Sequence, residues 1–115
     1  KKKLLKCLKI SSLPRKFLNR QITSQSGVEF STGQKQRISI ARSLYHDPKF
    51  IVLDEITSNL NNELSEKIFR NFKKEIKLPM IIISHNLKNL RICNRIYKIS
   101  NGKLHKKNIK IIFNK

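Results

Sequence analysis

The sequence predicts an α/β fold, and three observations carry that expectation. Two short β-branched apolar runs, Phe50-Ile51-Val52-Leu53 and Met80-Ile81-Ile82-Ile83, are separated by a stretch with helical periodicity. Apolar strands joined by one helix are expected to be parallel, buried and linked by a right-handed crossover. Each run then ends in a chemistry-bearing pair, Asp54-Glu55 after the first and Ser84-His85 after the second. Parallel strands put both pairs on one sheet edge, where ligands of open α/β sheets bind. Finally, the turn Phe30-Ser31-Thr32-Gly33-Gln34 opens a basic amphipathic helix that can offer backbone N–H groups to a phosphate.

The elements follow in order. Residues 3–10 carry Leu4, Leu5 and Leu8 at the spacing of a short amphipathic helix. Pro14 breaks regularity, and the stretch to Glu29, with Ser24, Ser26 and Gly27, reads as loop. A helix is expected from Thr32 to Tyr45, burying Ile38, Ala41 and Leu44 or Tyr45, and Asp47-Pro48 ends it. Residues 49–53 form a buried strand. Asn61 or Asn62 caps the next helix, whose inner face is Leu64, Ile68, Phe72 and Ile76, and Pro79 stops it. Residues 80–83 form the second strand, with a helix near 87–92 after it. Residues 95–100 and 109–113 are expected to pair around the turn Asn101-Gly102.

Composition narrows the class. A chain of 115 residues is at most one domain with a modest core. It starts Lys1-Lys2-Lys3 without Met, inside what reads as a helix, and is read as a fragment or truncated product. Its apolar runs fall far short of the ~20 residues of a membrane span. Cys7 and Cys93 lie far apart with no metal spacing and are expected to be reduced, buried or half-buried thiols. The net charge of +19 raises the question of polyanion binding. Its lysines run from Lys1 to Lys115 rather than forming one patch, and no aromatic platform accompanies them. Specific nucleic-acid recognition is therefore not expected.

The chemistry-bearing stretches resemble a known family. Phe30 to Gln34 is similar to the LSGGQ signature of ATP-binding cassette (ABC) proteins, and the stretch with Gln36-Arg37, Ala41-Arg42 and Asp47-Pro48 resembles the helix after it. Phe50 to Glu55 resembles the Walker B strand with its catalytic glutamate. Ser58-Asn59-Leu60-Asn61 sits where the family has its D-loop, His85 where it has the switch histidine, and Asn101-Gly102-Lys103-Leu104 resembles its closing turn. Gly27-Val28-Glu29 looks more like exporters, and the stretch to Arg37 resembles peptide or bacteriocin exporters. A soluble non-transport ABC ATPase and a decayed gene product are the alternatives.

The resemblance implies a P-loop NTPase-like ABC ATPase core, truncated, lacking its N-terminal strands and P-loop. It spans residues 1–105, followed by a divergent basic tail at 106–115. It implies ATP and Mg²⁺ as cofactors, a head-to-tail dimer with a second nucleotide-binding domain, a transmembrane partner, and a place at the cytoplasmic face of the cell membrane. Ser31, Thr32, Gly33 and Gln34 would touch ATP held by the opposite subunit. Asp54 would hold Mg²⁺ through water, Glu55 would polarise the attacking water, and His85 would sense the γ-phosphate. Read singly, each feature has a plainer meaning: Ser31 as a helix cap, Asp54-Glu55 as a solvated strand end, His85 as a structural histidine.

Three departures stand out. Thr32 replaces the first Gly of the signature, and its Cβ narrows the backbone options there. Asn61 replaces the usual D-loop Asp. Only Gly27, Gly33 and Gly102 occur, and none begins a GxxxxGK[ST] spacing. The isolated chain is therefore expected to be inactive.

Overall fold

The computed structural model describes residues 1–19 and 30–113. The loop expected around Ser24 and Ser26, and the Gly27-Val28-Glu29 stretch, lie outside the described residues. Helix α1 is Lys2–Ile10, followed by a 3-10 turn at Arg15–Asn19. Helix α2 is Thr32–Tyr45, strand β1 Ile51–Asp54, helix α3 Asn62–Glu75 and strand β2 Met80–Ile83. A 3-10 segment at Leu87–Ile92 follows, then β3 Ile96–Ser100, β4 Lys103–Lys107 and a short helix α4 at Ile109–Phe113.

The parallel pairing expected of the two apolar runs is present, with Ile51 opposite Met80 and Asp54 opposite Ile83. Its packed face joins one core. Cys7, Leu8 and Ile10 of α1, Ile40, Ala41 and Leu44 of α2, Ile51 and Leu53 of β1, and Ile68, Phe69 and Phe72 of α3 are all buried there. The expectation of strands buried on both sides is corrected. Val52, Ile81 and Ile83 are 55%, 52% and 49% exposed. Helices α1, α2 and α3 gather on one face, and among the described residues no element covers the other. Alternating side chains of a strand then divide between core and solvent.

Helix faces need smaller corrections. On α2, Ile40 is fully buried and Ile38 only packs against the core, while Tyr45 lies outside, with Lys3 Nζ 4.9 Å from its ring centre. On α3, Ser65 and Phe69 join Ile68 and Phe72 inside, and Leu64 is half-buried. Asn61 is the cap, its Oδ1 accepting from Leu64 N at 2.9 Å. Glu63 in the first turn and Lys73 and Lys74 in the last suit the helix dipole. The helix ends at Glu75, before Pro79 is reached.

The hairpin is also corrected. The strand partner of β3 is Lys103–Lys107, with Ser100 opposite Lys103, and residues 109–113 are helical instead. Asn101 and Gly102 both have positive φ, 51° and 70°, as a two-residue hairpin turn of the primed type requires. Such a turn starts the return strand at once, so the more apolar 109–113 comes too late to pair.

Candidate functional site

The carboxyl ends of β1 and β2 build the site. Glu55 N donates to Ile83 O at 3.0 Å, extending the ladder one residue past β1. At that residue the backbone turns into the left-handed region, φ 46°, uncommon for a side-chain-bearing residue. The turn brings the Glu55 carboxylate to the β2 end. There Oε1 accepts from His85 N at 2.8 Å and from His85 Nδ1 at 2.9 Å. A carboxylate only accepts, so Nδ1 carries the hydrogen and Nε2 is left for another partner. The juxtaposition expected from the β-α-β order is thus observed in atomic contacts.

Asp54 ends β1 on the open face and is exposed. Asp54 is the last strand residue and Glu55 has turned out of the strand at φ 46°, so the two address different neighbours. One exposed hard-oxygen donor fits the way Mg²⁺ is usually held, by one or two carboxylates together with substrate phosphates and water. No group of three or more His, Cys, Asp or Glu gathers into a self-sufficient metal cage among the described residues.

The turn before α2 forms a capping box. Ser31 Oγ accepts from Gln34 N at 3.2 Å, and Gln34 Oε1 accepts from Ser31 N at 3.1 Å. Both side chains therefore have a structural task, and Thr32 projects from the first turn to solvent. Gly33 is tightly placed. A Cβ there would sit 2.8 Å from Leu60 Cδ2 and 3.2 Å from Asn59 O. Gln36 fastens the same contact, its Nε2 donating to Ser58 Oγ at 3.0 Å and its Oε1 accepting from Asn59 N at 3.3 Å. Arg37 reaches back to Gly33 O at 3.2 Å and Ser12 O at 2.8 Å, and burial lowers its pKa from the ordinary value. The Ser31–Gln34 turn and the Ser58–Asn61 loop are therefore one packed unit, which spacing alone did not reveal.

A buried polar cluster behind the strand ends also escaped the sequence reading. Thr57, Ser65 and Asn89 are each at most 7% exposed. Ser65 Oγ lies 2.9 Å from both Thr57 Oγ1 and Asn89 Oδ1, and Asn89 Nδ2 donates to Thr57 Oγ1 at 3.2 Å and Ser84 Oγ at 3.1 Å. Thr57 lies in the turn after β1, Ser65 in α3 and Asn89 in the 3-10 segment, and only the fold discloses their role. A polar cavity of about 120 Å³ lies over them, lined also by Glu55, Ser58 and His85. A larger cavity, about 410 Å³, lies between the start of α1 and the ends of α2 and α3, and holds none of the carboxyl-edge residues. Size does not mark the site here.

Both thiols behave as expected. Cys7 is buried, Cys93 is half-buried, and burial raises the pKa of each, which suits inert structural cysteines. No described helix is long and apolar enough to cross a membrane.

The chain as a whole is similar to known proteins. A family model described as "ABC transporter" matches residues 2–58. The chain is 43% identical over 84 residues to the lipoprotein-releasing system ATP-binding protein LolD of Wigglesworthia glossinidia brevipalpis, covering 70% of this chain and 37% of LolD. It is 40% identical over 84 residues to the alpha-hemolysin translocation ATP-binding protein HlyB of Escherichia coli, covering 72% of this chain and 12% of HlyB. Its fold matches a dimeric post-hydrolysis state of the ATP-binding cassette MJ0796 bound to ADP and Pi, with TM-score 0.77 and 29% identity. That match covers 94% of this chain and 46% of the solved one, so the chain spans less than half the length of these relatives.

Proposed function

We propose that this chain, which belongs to the ABC transporter family, supplies the trans signature, the carboxylate pair and the switch histidine of an ATPase that drives export. In this reading residues 1–105 belong to the nucleotide-binding domain and residues 106–115 are a divergent basic tail. The domain works as a head-to-tail dimer at the cytoplasmic face of the membrane, beside a transmembrane partner. The single observation that supports it best is the Glu55–His85 contact at the ends of two parallel strands.

The residues divide the work. Ser31, Thr32, Gly33 and Gln34 meet the γ-phosphate of ATP held by the opposite subunit, where the positive end of α2 favours an anion. Glu55 accepts a proton from the attacking water. His85, oriented through Nδ1 by Glu55, presents Nε2 to the phosphate. Asp54 would hold Mg²⁺, and the ion would supply neutralisation of phosphate charge. Ser58, Asn59, Leu60 and Asn61, packed on the signature turn, carry closure from one site to the other.

The reading is tested in a longer protein that joins this chain to a P-loop segment. Glu55→Gln is expected to keep ATP binding while slowing turnover roughly a hundredfold or more, as loss of a positioned base does. Turnover at the parent rate under saturating Mg²⁺ and ATP would remove Glu55 from that role. The chain by itself, with no GxxxxGK[ST] in its sequence, is expected to show no specific MgATP affinity below about millimolar by calorimetry.

A further inference from the structure

We infer that Thr57, Ser65 and Asn89 form a hydrogen-bonded ring that positions His85 against Glu55. The inference rests on the reading of those two residues as the catalytic pair. The three side chains come from the turn after β1, the first half of α3 and the 3-10 segment after β2. Hydrogen counting fixes how they are wired. Each hydroxyl owns one hydrogen and the Asn89 amide owns two. Asn89 Oδ1 can only accept, so the 2.9 Å contact to Ser65 Oγ uses the Ser65 hydrogen. The 2.9 Å contact between Ser65 and Thr57 must then use the Thr57 hydrogen. Asn89 Nδ2 closes the ring on Thr57 Oγ1 at 3.2 Å and spends its second hydrogen on Ser84 Oγ at 3.1 Å.

Every polar atom of the ring is satisfied, and no described buried side-chain nitrogen or oxygen lacks a partner. The second Asn89 hydrogen is the functional one. Ser84 also accepts from Asn86 N at 3.2 Å, so its hydroxyl pins the backbone on both sides of His85. Thr57 lies two residues past Glu55. One closed ring therefore ties the segment bearing the base to the segment bearing the histidine, through atoms that touch neither. Thr57, Ser65, Asn89 and Ser84 are positioning residues.

The test reads the His85 amide, which donates to Glu55 Oε1, by site-resolved hydrogen exchange in this chain. Thr57→Val keeps the shape but removes the ring hydroxyl, and Ser84→Ala removes the link to the loop while leaving the ring. Each should speed exchange at His85 roughly tenfold, the effect of losing about one hydrogen bond. Ile68 and Phe72 in α3 should change much less, and Thr57→Ser should restore the parent rate at His85. Should Thr57→Val fail to fold, Ser84→Ala and Thr57→Ser still decide. Unchanged His85 exchange, or an equal acceleration throughout α3, would reduce the ring to ordinary core packing and overturn the inference. No nucleotide enters this measurement, so its failure is separable from failure of the ATPase reading, which the Glu55→Gln turnover decides.

Discussion

The parallel pair β1–β2 and the hairpin β3–β4 are both two-stranded, yet they are held together by different physics. Strand β1 buries Ile51 and Leu53 in a core shared with three helices, and its carboxyl end is cross-tied through Glu55, Thr57 and Asn89. The hairpin buries Ile96 alone, while Ile99 and Leu104 stand 75% and 69% exposed. One sheet is defined by what packs against it, the other by its turn. The candidate chemistry sits on the first, where a side chain can be fixed by contacts from distant parts of the chain.

The contrast can be broken most severely at Phe72, which is fully buried in the shared core. Phe72→Ala should cost about 3–5 kcal/mol by chemical denaturation, the range for a large core side chain replaced by a cavity. A loss below about 1 kcal/mol would mean that the core does not hold the parallel pair.

Gly33→Ala is the next largest. The added Cβ presses on Leu60 Cδ2, which can move, and on Asn59 O, which moves only with its backbone. Overpacking of this kind costs roughly 1–3 kcal/mol. Adding Leu60→Ala should recover part of it in a double-mutant cycle, and simple additivity would show that the two loops are not one unit.

In the hairpin, Ile99→Ala should change stability by no more than about 0.5 kcal/mol, as expected of an exposed position. A larger loss would place Ile99 inside a packed face and erase the contrast.

The smallest effect lies between α1 and α3. Lys9 Nζ donates to Glu75 Oε1 at 2.9 Å, and this bond, with the charge of Lys9, holds the Glu75 carboxyl below its usual pKa. A depressed carboxyl stabilises the fold above its ordinary value near ~4.3, and that contribution fades as pH falls through the lower folded value. Lys9→Ala should therefore reduce the acid dependence of stability below about pH 4 and leave its slope near neutrality unchanged. An equal effect of the substitution at all pH values would assign Lys9 a packing role alone.

Much of this was legible in the residues. Thr32 and Tyr45 bound α2 as expected, because a capping Ser-Thr-Gly turn and Asp47-Pro48 are local signals that act through the backbone itself. Strand β2 occupies Met80–Ile83, as its β-branched run implied. The hairpin turn was also local, but the choice of its second strand followed apolar character, and register belongs to the turn. Lys103–Lys107 is exposed along its whole length, so no burial pattern announced it.

What the sequence determined by itself was therefore local conformation and order: helix starts and stops, the β-α-β succession, and the delivery of Asp54-Glu55 and Ser84-His85 to one edge. These follow from dihedral preference, capping and periodicity, which act within a few residues. Contacts between distant segments set which face of the sheet is covered, that Gly33 abuts Leu60, and that Thr57, Ser65 and Asn89 are buried. Each of those depends on distances between segments far apart in the chain. A polar side chain carries no mark of burial until the fold encloses it and supplies its hydrogen-bond partners.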